Sequence, residues 1–162
     1  MMKKYLALLA LASLGAQAQT VNTTVLSTAM LSTDTAQQLV TEGLKHCAND
    51  GYHVTVAVVD RSGVLKALAR DELAGPHTIE SARKKAYTAA SLGKSTAEYA
   101  NLIAEKPGLA GLRDMHPDIL MLGGGLPVRV GEQLVGGIGI GGAPGGHLDQ
   151  ACAEAAIEAV LQ

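Results

Sequence analysis

YHVTVAVVDRSGVLKALAR, residues Tyr52 to Arg70, reads as two strands joined by a tight turn. Val54, Val56 and Val58 alternate with Thr55, Ala57 and Val59, so both faces of the first strand are apolar enough to be covered, as in a central strand. Asp60-Arg61-Ser62-Gly63 has turn composition, and Val64 to Arg70 runs back as the second strand. So short a return makes the pair an antiparallel hairpin.

Working outward, Ser32 or Thr33 caps a helix that runs to about Asn49, with Asp34 in its first turn and Gly51 ending it. On the other side, Pro76 precedes a helix over Thr78 to Leu92 closed by Gly93. Its apolar arc holds Ile79, Ala82, Ala86, Ala89 and Ala90, and Arg83, Lys84 and Lys85 read as a solvated face. Ser95-Thr96-Ala97-Glu98 is a capping box opening a short helix that stops at Pro107-Gly108. Ile119–Leu122 and Pro127–Val130 are expected strands around Gly123-Gly124-Gly125, Gly131-Glu132-Gln133 is a turn, and Leu134–Ile140 is another strand. A terminal helix begins near Gly146 or His147. Short links between successive strands give a mostly antiparallel sheet with helices packed on it, an α+β domain.

The start of the chain is of a different kind. Lys3 and Lys4 precede an apolar run from Tyr5 to Gly15, and Ala16-Gln17-Ala18 fits the small-x-small rule. Residues 1–18 are therefore expected to be a cleavable signal peptide, cut after Ala18, for a periplasmic or secreted product. The run is too short to span a bilayer, so no stable membrane insertion of the mature protein is expected. Residues 19–31 are polar and β-branched and are expected to form an extended arm before a single domain over residues 32–162.

Without Lys3 and Lys4, 11 basic residues remain against 15 acidic ones, a formal charge of −4. With no basic cluster to grip phosphates, nucleic acid is not an expected partner. The 162 residues hold no Trp, no Phe and four Tyr, so the core must come from Ala, Val, Leu and Ile among 19 glycines. Cys47 and Cys152 each fall on the apolar stripe of an expected helix; export admits a disulfide, and two buried thiols are the alternative.

Several motifs fail in context. Gly137-x-Gly139-x-x-Gly142 matches the dinucleotide fingerprint, but Pro144 and further glycines separate it from the next helix. The chain also ends where the ribose-binding acid should stand, so no nucleotide cofactor is expected. No nucleophile elbow, phosphate-binding P-loop or H-E-x-x-H occurs. Asp114, His116 and Asp118 alternate as loose metal ligands would, in a segment of ordinary loop composition.

VAVVDRSGVLKALARDE (Val56–Glu72), GPHTIESARKKAYTAASLG (Gly75–Gly93) and ILMLGGGLPVRVGEQLVGGIGIGGAPGGHLDQACAEAA (Ile119–Ala156) together resemble the family of haem-binding, or "haem-degrading", proteins that includes GlcG, HbpS and the C-terminal domain of PduO. The likeness extends from Thr33 onward. It implies a profilin-like three-layer α/β/α fold, with a five-stranded antiparallel sheet and helices on both faces. It also implies homo-oligomers, octamers among them, and haem as ligand in some members, with sequestration or redox sensing as the associated role.

A haem site needs an apolar slot, basic groups for the propionates and an axial ligand. His77, at the mouth of the Thr78–Leu92 helix, and His116, set outward by Pro117, are the candidate iron ligands, with Met115 beside the latter. Arg83 and Tyr87 border that helix's apolar stripe, and Arg70 is expected to reach the same edge. The alternative is a small-carboxylate-binding accessory protein, in which Asp60, Arg70 and Lys84 anchor an acid over the N–H groups of Gly123, Gly124 and Gly125. A non-catalytic interaction module is the third reading. Binding is the leading expectation, and the small-acid reading also admits weak catalysis at the same groups.

Overall fold

The computed structural model describes residues 27–162; the expected signal peptide and arm residues 19–26 lie outside the described residues. Ser27–Leu31 has no regular secondary structure and is fixed by a hydrogen bond from Arg61 to Thr28 and by burial of Leu31. Helix α1 spans Thr33–Asn49, and the Ser32 hydroxyl caps it by accepting from Thr35 N at 3.0 Å. Strands β1 (Thr55–Asp60) and β2 (Leu65–Arg70) form the hairpin, in register from Thr55↔Arg70. Helix α2 (Thr78–Leu92) ends at Gly93, whose φ of +74° is the left-handed conformation a Schellman-type stop requires. Helix α3 (Thr96–Glu105) opens with both halves of the Ser95–Glu98 capping box. A 3₁₀ helix over Pro107–Asp114 follows, then β3 (Gly125–Val130), β4 (Gln133–Gly141) and helix α4 (Gly146–Leu161). None of the described helices is long and apolar enough to cross a membrane.

The described residues form a four-stranded antiparallel sheet in the order β2-β1-β4-β3, not the five strands expected. The segment that falls out is Ile119–Leu122. Its backbone bonds go elsewhere: Ile119 N to His116 O, Leu120 N to the Thr88 hydroxyl, and Leu122 O to the Thr96 hydroxyl. Side-chain hydroxyls on α2 and α3 take the place of a ladder, so the segment lies against helices.

Helices cover both faces of the sheet. Val54, Val56, Val58, Ile138 and Ile140 join Leu39, Val40, Cys152, Ala153 and Ala156 in one core under α1 and α4. Cys47 and Cys152 are bridged there, tying α1 to α4 with Cα atoms 5.5 Å apart. The opposite face is lined by glycines and carries α2 at very short range. A Cβ on Gly139 would stand 2.1 Å from the Ala82 carbonyl oxygen, and one on Gly137 2.4 Å from that of Ala86. Only residues without a Cβ let a helix backbone come this close.

Candidate ligand-binding face on helix α2

Sheet pairing sets out the site residues along α2. Arg70 and Gly141 flank Thr55 on either side at one end of the sheet, and the Thr55 hydroxyl meets that of Thr78 at 2.6 Å, which fixes the N-terminus of α2 there. The β1–β2 turn closes the other end, where Gly63 lies against the Tyr87 ring.

Arg83, Tyr87 and His116 come together on the outer side of α2. The Tyr87 ring is covered on one side by Gly63, whose Cβ would stand 2.6 Å from it, and His116 stacks with it at a centroid distance of 5.1 Å. Arg83 grips Asp118 with two parallel bonds of 3.0 and 2.6 Å and holds Glu80 with its remaining donors. Those bonds, Asp118 first, raise the Arg83 pKa further, and Arg83 in turn keeps the Asp118 carboxyl below its usual value, with smaller charge contributions from His116 and Lys84. The bonds are shared between half-exposed groups, so Arg83 is already occupied by carboxylates before any ligand arrives. Lys84, next in the chain, makes no ion pair among the described residues. His116 accepts a hydrogen bond at Nδ1 from Asp118 N at 3.1 Å. Met115 is exposed beside it.

His77 does not share this cluster. It stands at the N-terminus of α2, exposed, with its ring over Gly75 and no side-chain cap bond. Ten residues of helix separate it from Tyr87, about 15 Å of rise. His77 therefore lies at the opposite end of α2 from the Tyr87–His116 stack. Arg70 lies near the His77 end but spends its guanidinium on the carbonyls of Glu72 and Ala74 in its own loop. His53 pins the same loop through a 2.9 Å contact with Asp71.

The small-acid set is not assembled. Asp60 accepts from Ser62 N and Val64 N and serves the turn. Arg70 is at the far end of the hairpin, about 17 Å away for five strand residues. Gly125 N is taken by the Thr96 hydroxyl at 2.9 Å, and Gly124, with φ +113°, sits directly over buried side chains. The alternating Asp114, His116 and Asp118 do not make a metal cluster either; among the described residues no group of three such ligands converges.

One expectation about α2 is overturned. Lys85 is not on a solvated face; it is 1% exposed and points inward. Its ammonium donates to Asp149 of α4 and to the Ile140 carbonyl, both at 2.8 Å, while Asp149 also accepts from Ala143 N. Burial pushes the Asp149 carboxyl up, and Lys85 opposes that. The pair locks α2, α4 and the end of β4 together behind Gly124. Its signal in the sequence is weak: at 100° per residue Lys85 falls about 40° beyond the Ala89 edge of the apolar arc, farther out than Arg83 lies beyond the Ala90 edge.

The donor set fits haem in kind. An imidazole without a side-chain bond (His77), a flat aromatic (Tyr87) and an unpaired ammonium (Lys84) line one helix face. Grooves also lie elsewhere on the protomer: about 580 Å³ between α1 and β2, by Gln37 and Leu68, and about 460 Å³ along α3, by Tyr99 and Leu102.

Comparison with known proteins now bears on this face. The family model described as haem degrading protein HbpS-like matches residues 31–158. Protein GlcG of Escherichia coli K12 is 29% identical over 111 residues, 68% of this chain and 81% of GlcG. A double mutant of HbpS from Streptomyces reticuli superimposes with a TM-score of 0.79 at 35% identity, covering 90% of this chain and 97% of that one. The PduOC:haem complex superimposes with a TM-score of 0.75 at 29% identity, covering 82% and 96%.

Proposed function

The chain belongs to the HbpS-like haem-degrading protein family, and on that premise we propose that it is an exported, self-assembling protein that binds haem along the outer face of α2. The observation that carries this reading is the Tyr87 ring, walled by Gly63 and stacked with His116, in a row with Lys84, Arg83 and His77. A structural neighbour that is itself a haem complex supports it. His77 is the axial ligand in this proposal, because its ring nitrogens are committed to no side-chain cap bond and it stands exposed. Bound haem would supply a redox-active iron; Tyr87 would contact the porphyrin, and Lys84 would meet its carboxylates. In this proposal a second copy of the chain completes the site, with a homo-oligomer as the working form. The Cys47–Cys152 bridge supports an oxidising compartment, in keeping with the leader-like residues 1–18.

Haemin titration of the mature chain from Gln19 onward tests the proposal. The expected result is a saturable Soret change at micromolar haemin, with the band displaced in His77→Ala. No change in the unaltered protein overturns it. Light scattering on the same sample is expected to show an oligomer that haemin does not dissociate.

A further inference from the structure

His116 is wired the opposite way from an iron ligand. A histidine that coordinates a metal through one ring nitrogen normally donates a proton from the other to a carbonyl or carboxylate. Here the second nitrogen faces a donor: the Asp118 backbone N–H points at Nδ1. A backbone N–H only donates, so Nδ1 must offer its lone pair, and the neutral ring then carries its proton on Nε2. An Nε2–H has no lone pair for iron. It is a hydrogen-bond donor, and its surroundings suit an acceptor with negative charge. Lys84 is unpaired and contributes to the field on Asp118, and Tyr87 fixes the imidazole plane by stacking, while Arg83 is already neutralised by Asp118 and Glu80 and leaves Lys84 as the available cation.

We infer that His116 holds a carboxylate of the bound porphyrin and not its iron, with Lys84 as second donor and Asp118 as the positioning residue that sets the tautomer through its backbone. This rests on the haem reading above and divides the labour along α2: the metal end at His77, by the helix N-terminus, and the acid end at His116, stacked on Tyr87. Asp118 then has two tasks. Its side chain fastens the segment after the 3₁₀ helix to Arg83, and its N–H decides what the neighbouring imidazole can offer.

The test compares haemin, metal-free protoporphyrin and protoporphyrin dimethyl ester on the unaltered oligomer, on His116→Ala and on His116→Gln. A carboxylate contact predicts that His116→Ala weakens haemin and metal-free protoporphyrin by the same factor, about tenfold. It predicts no effect on the ester, an unmoved Soret band, and partial rescue by Gln, which keeps an N–H donor. Loss confined to haemin, with a displaced Soret band, makes His116 an iron ligand and overturns the inference while leaving the haem reading standing. If the unaltered protein binds neither porphyrin, the haem reading falls and the carboxylate role falls with it. Nitrogen-15 NMR of the ligand-free protein gives a second readout: the proton is expected on Nε2 of His116, and a proton on Nδ1 contradicts the assignment. His116 is exposed, so neither substitution is expected to disturb folding.

Discussion

The two faces of the sheet are built on opposite plans. Under α1 and α4, branched side chains such as Val56, Val58, Ile138 and Ile140 interdigitate, and a disulfide spans the layer. Under α2 the strand presents Gly137, Gly139 and Gly141, the helix presents alanines, and the layer is closed by polar groups, Thr55 with Thr78 and Lys85 with Asp149. The first face tolerates small changes of volume because side chains can shift. On the second, backbone touches backbone, so nothing can yield. A rigid α2 is what the ligand proposal needs, since the groups on its outer side must keep their spacing without a pocket around them.

That contrast can be broken at graded cost. Asp149→Ala leaves the Lys85 ammonium buried without its partner, and chemical denaturation is expected to show a loss of about 4 kcal/mol. A loss under 1 kcal/mol would mean that the pair does not hold the α2 layer. Paired Cys47→Ala and Cys152→Ala substitutions free a long loop of 105 residues, and about 3 kcal/mol is expected to go. That loss should fall on the α1–α4 side and leave haemin binding as it was. Neighbouring residues on β4 then give the sharpest pair. Gly139→Ala adds one methyl against the α2 backbone and is expected to cost about 3 kcal/mol or more, whereas Ile138→Val removes one on the other side for about 1 kcal/mol. Equal costs would argue that the two faces are packed alike.

The smallest effect concerns pH. The Asp118 carboxyl sits below its usual value in the folded chain. Its contact with Arg83 is therefore fully stabilising above the unfolded carboxylate value, near pH 4, and is lost as pH falls through the lower folded value. Asp118→Asn should flatten that acid limb of the stability curve by lowering the neutral plateau, by up to about 1 kcal/mol at pH 7 for so exposed a pair, while leaving stability at pH 2 nearly unchanged. An unchanged limb would place the acid sensitivity in another group.

Much of this architecture was legible because its signals are local. Ser32, Gly93 and the Ser95–Glu98 box mark helix ends by hydrogen bonds within a few residues, and the alternation from Val54 to Val59 marks the central strand. Ile119–Leu122 was misread as a strand because its apolar content does not reveal that Thr88 and Thr96, distant in sequence, would take its backbone bonds. The burial of Lys85 is not legible in the helix period, which leaves it just outside the alanine arc; it depends on Asp149 and the Ile140 carbonyl, both distant in sequence. On the candidate face, Arg83, Tyr87 and His116 were named together and do meet. Asp118 was named only as a loose metal ligand, and its part as clamp and tautomer setter depends on which way one backbone N–H points.

The measurement that bears most directly on the account is hydrogen exchange read by mass spectrometry with and without haemin. Protection is predicted over residues 71–79 and 113–120 and across α2, with α1 and α4 unchanged outside any subunit contact. Protection centred on the groove between α1 and β2, or none anywhere at saturating haemin, would contradict the assignment of ligand binding to α2.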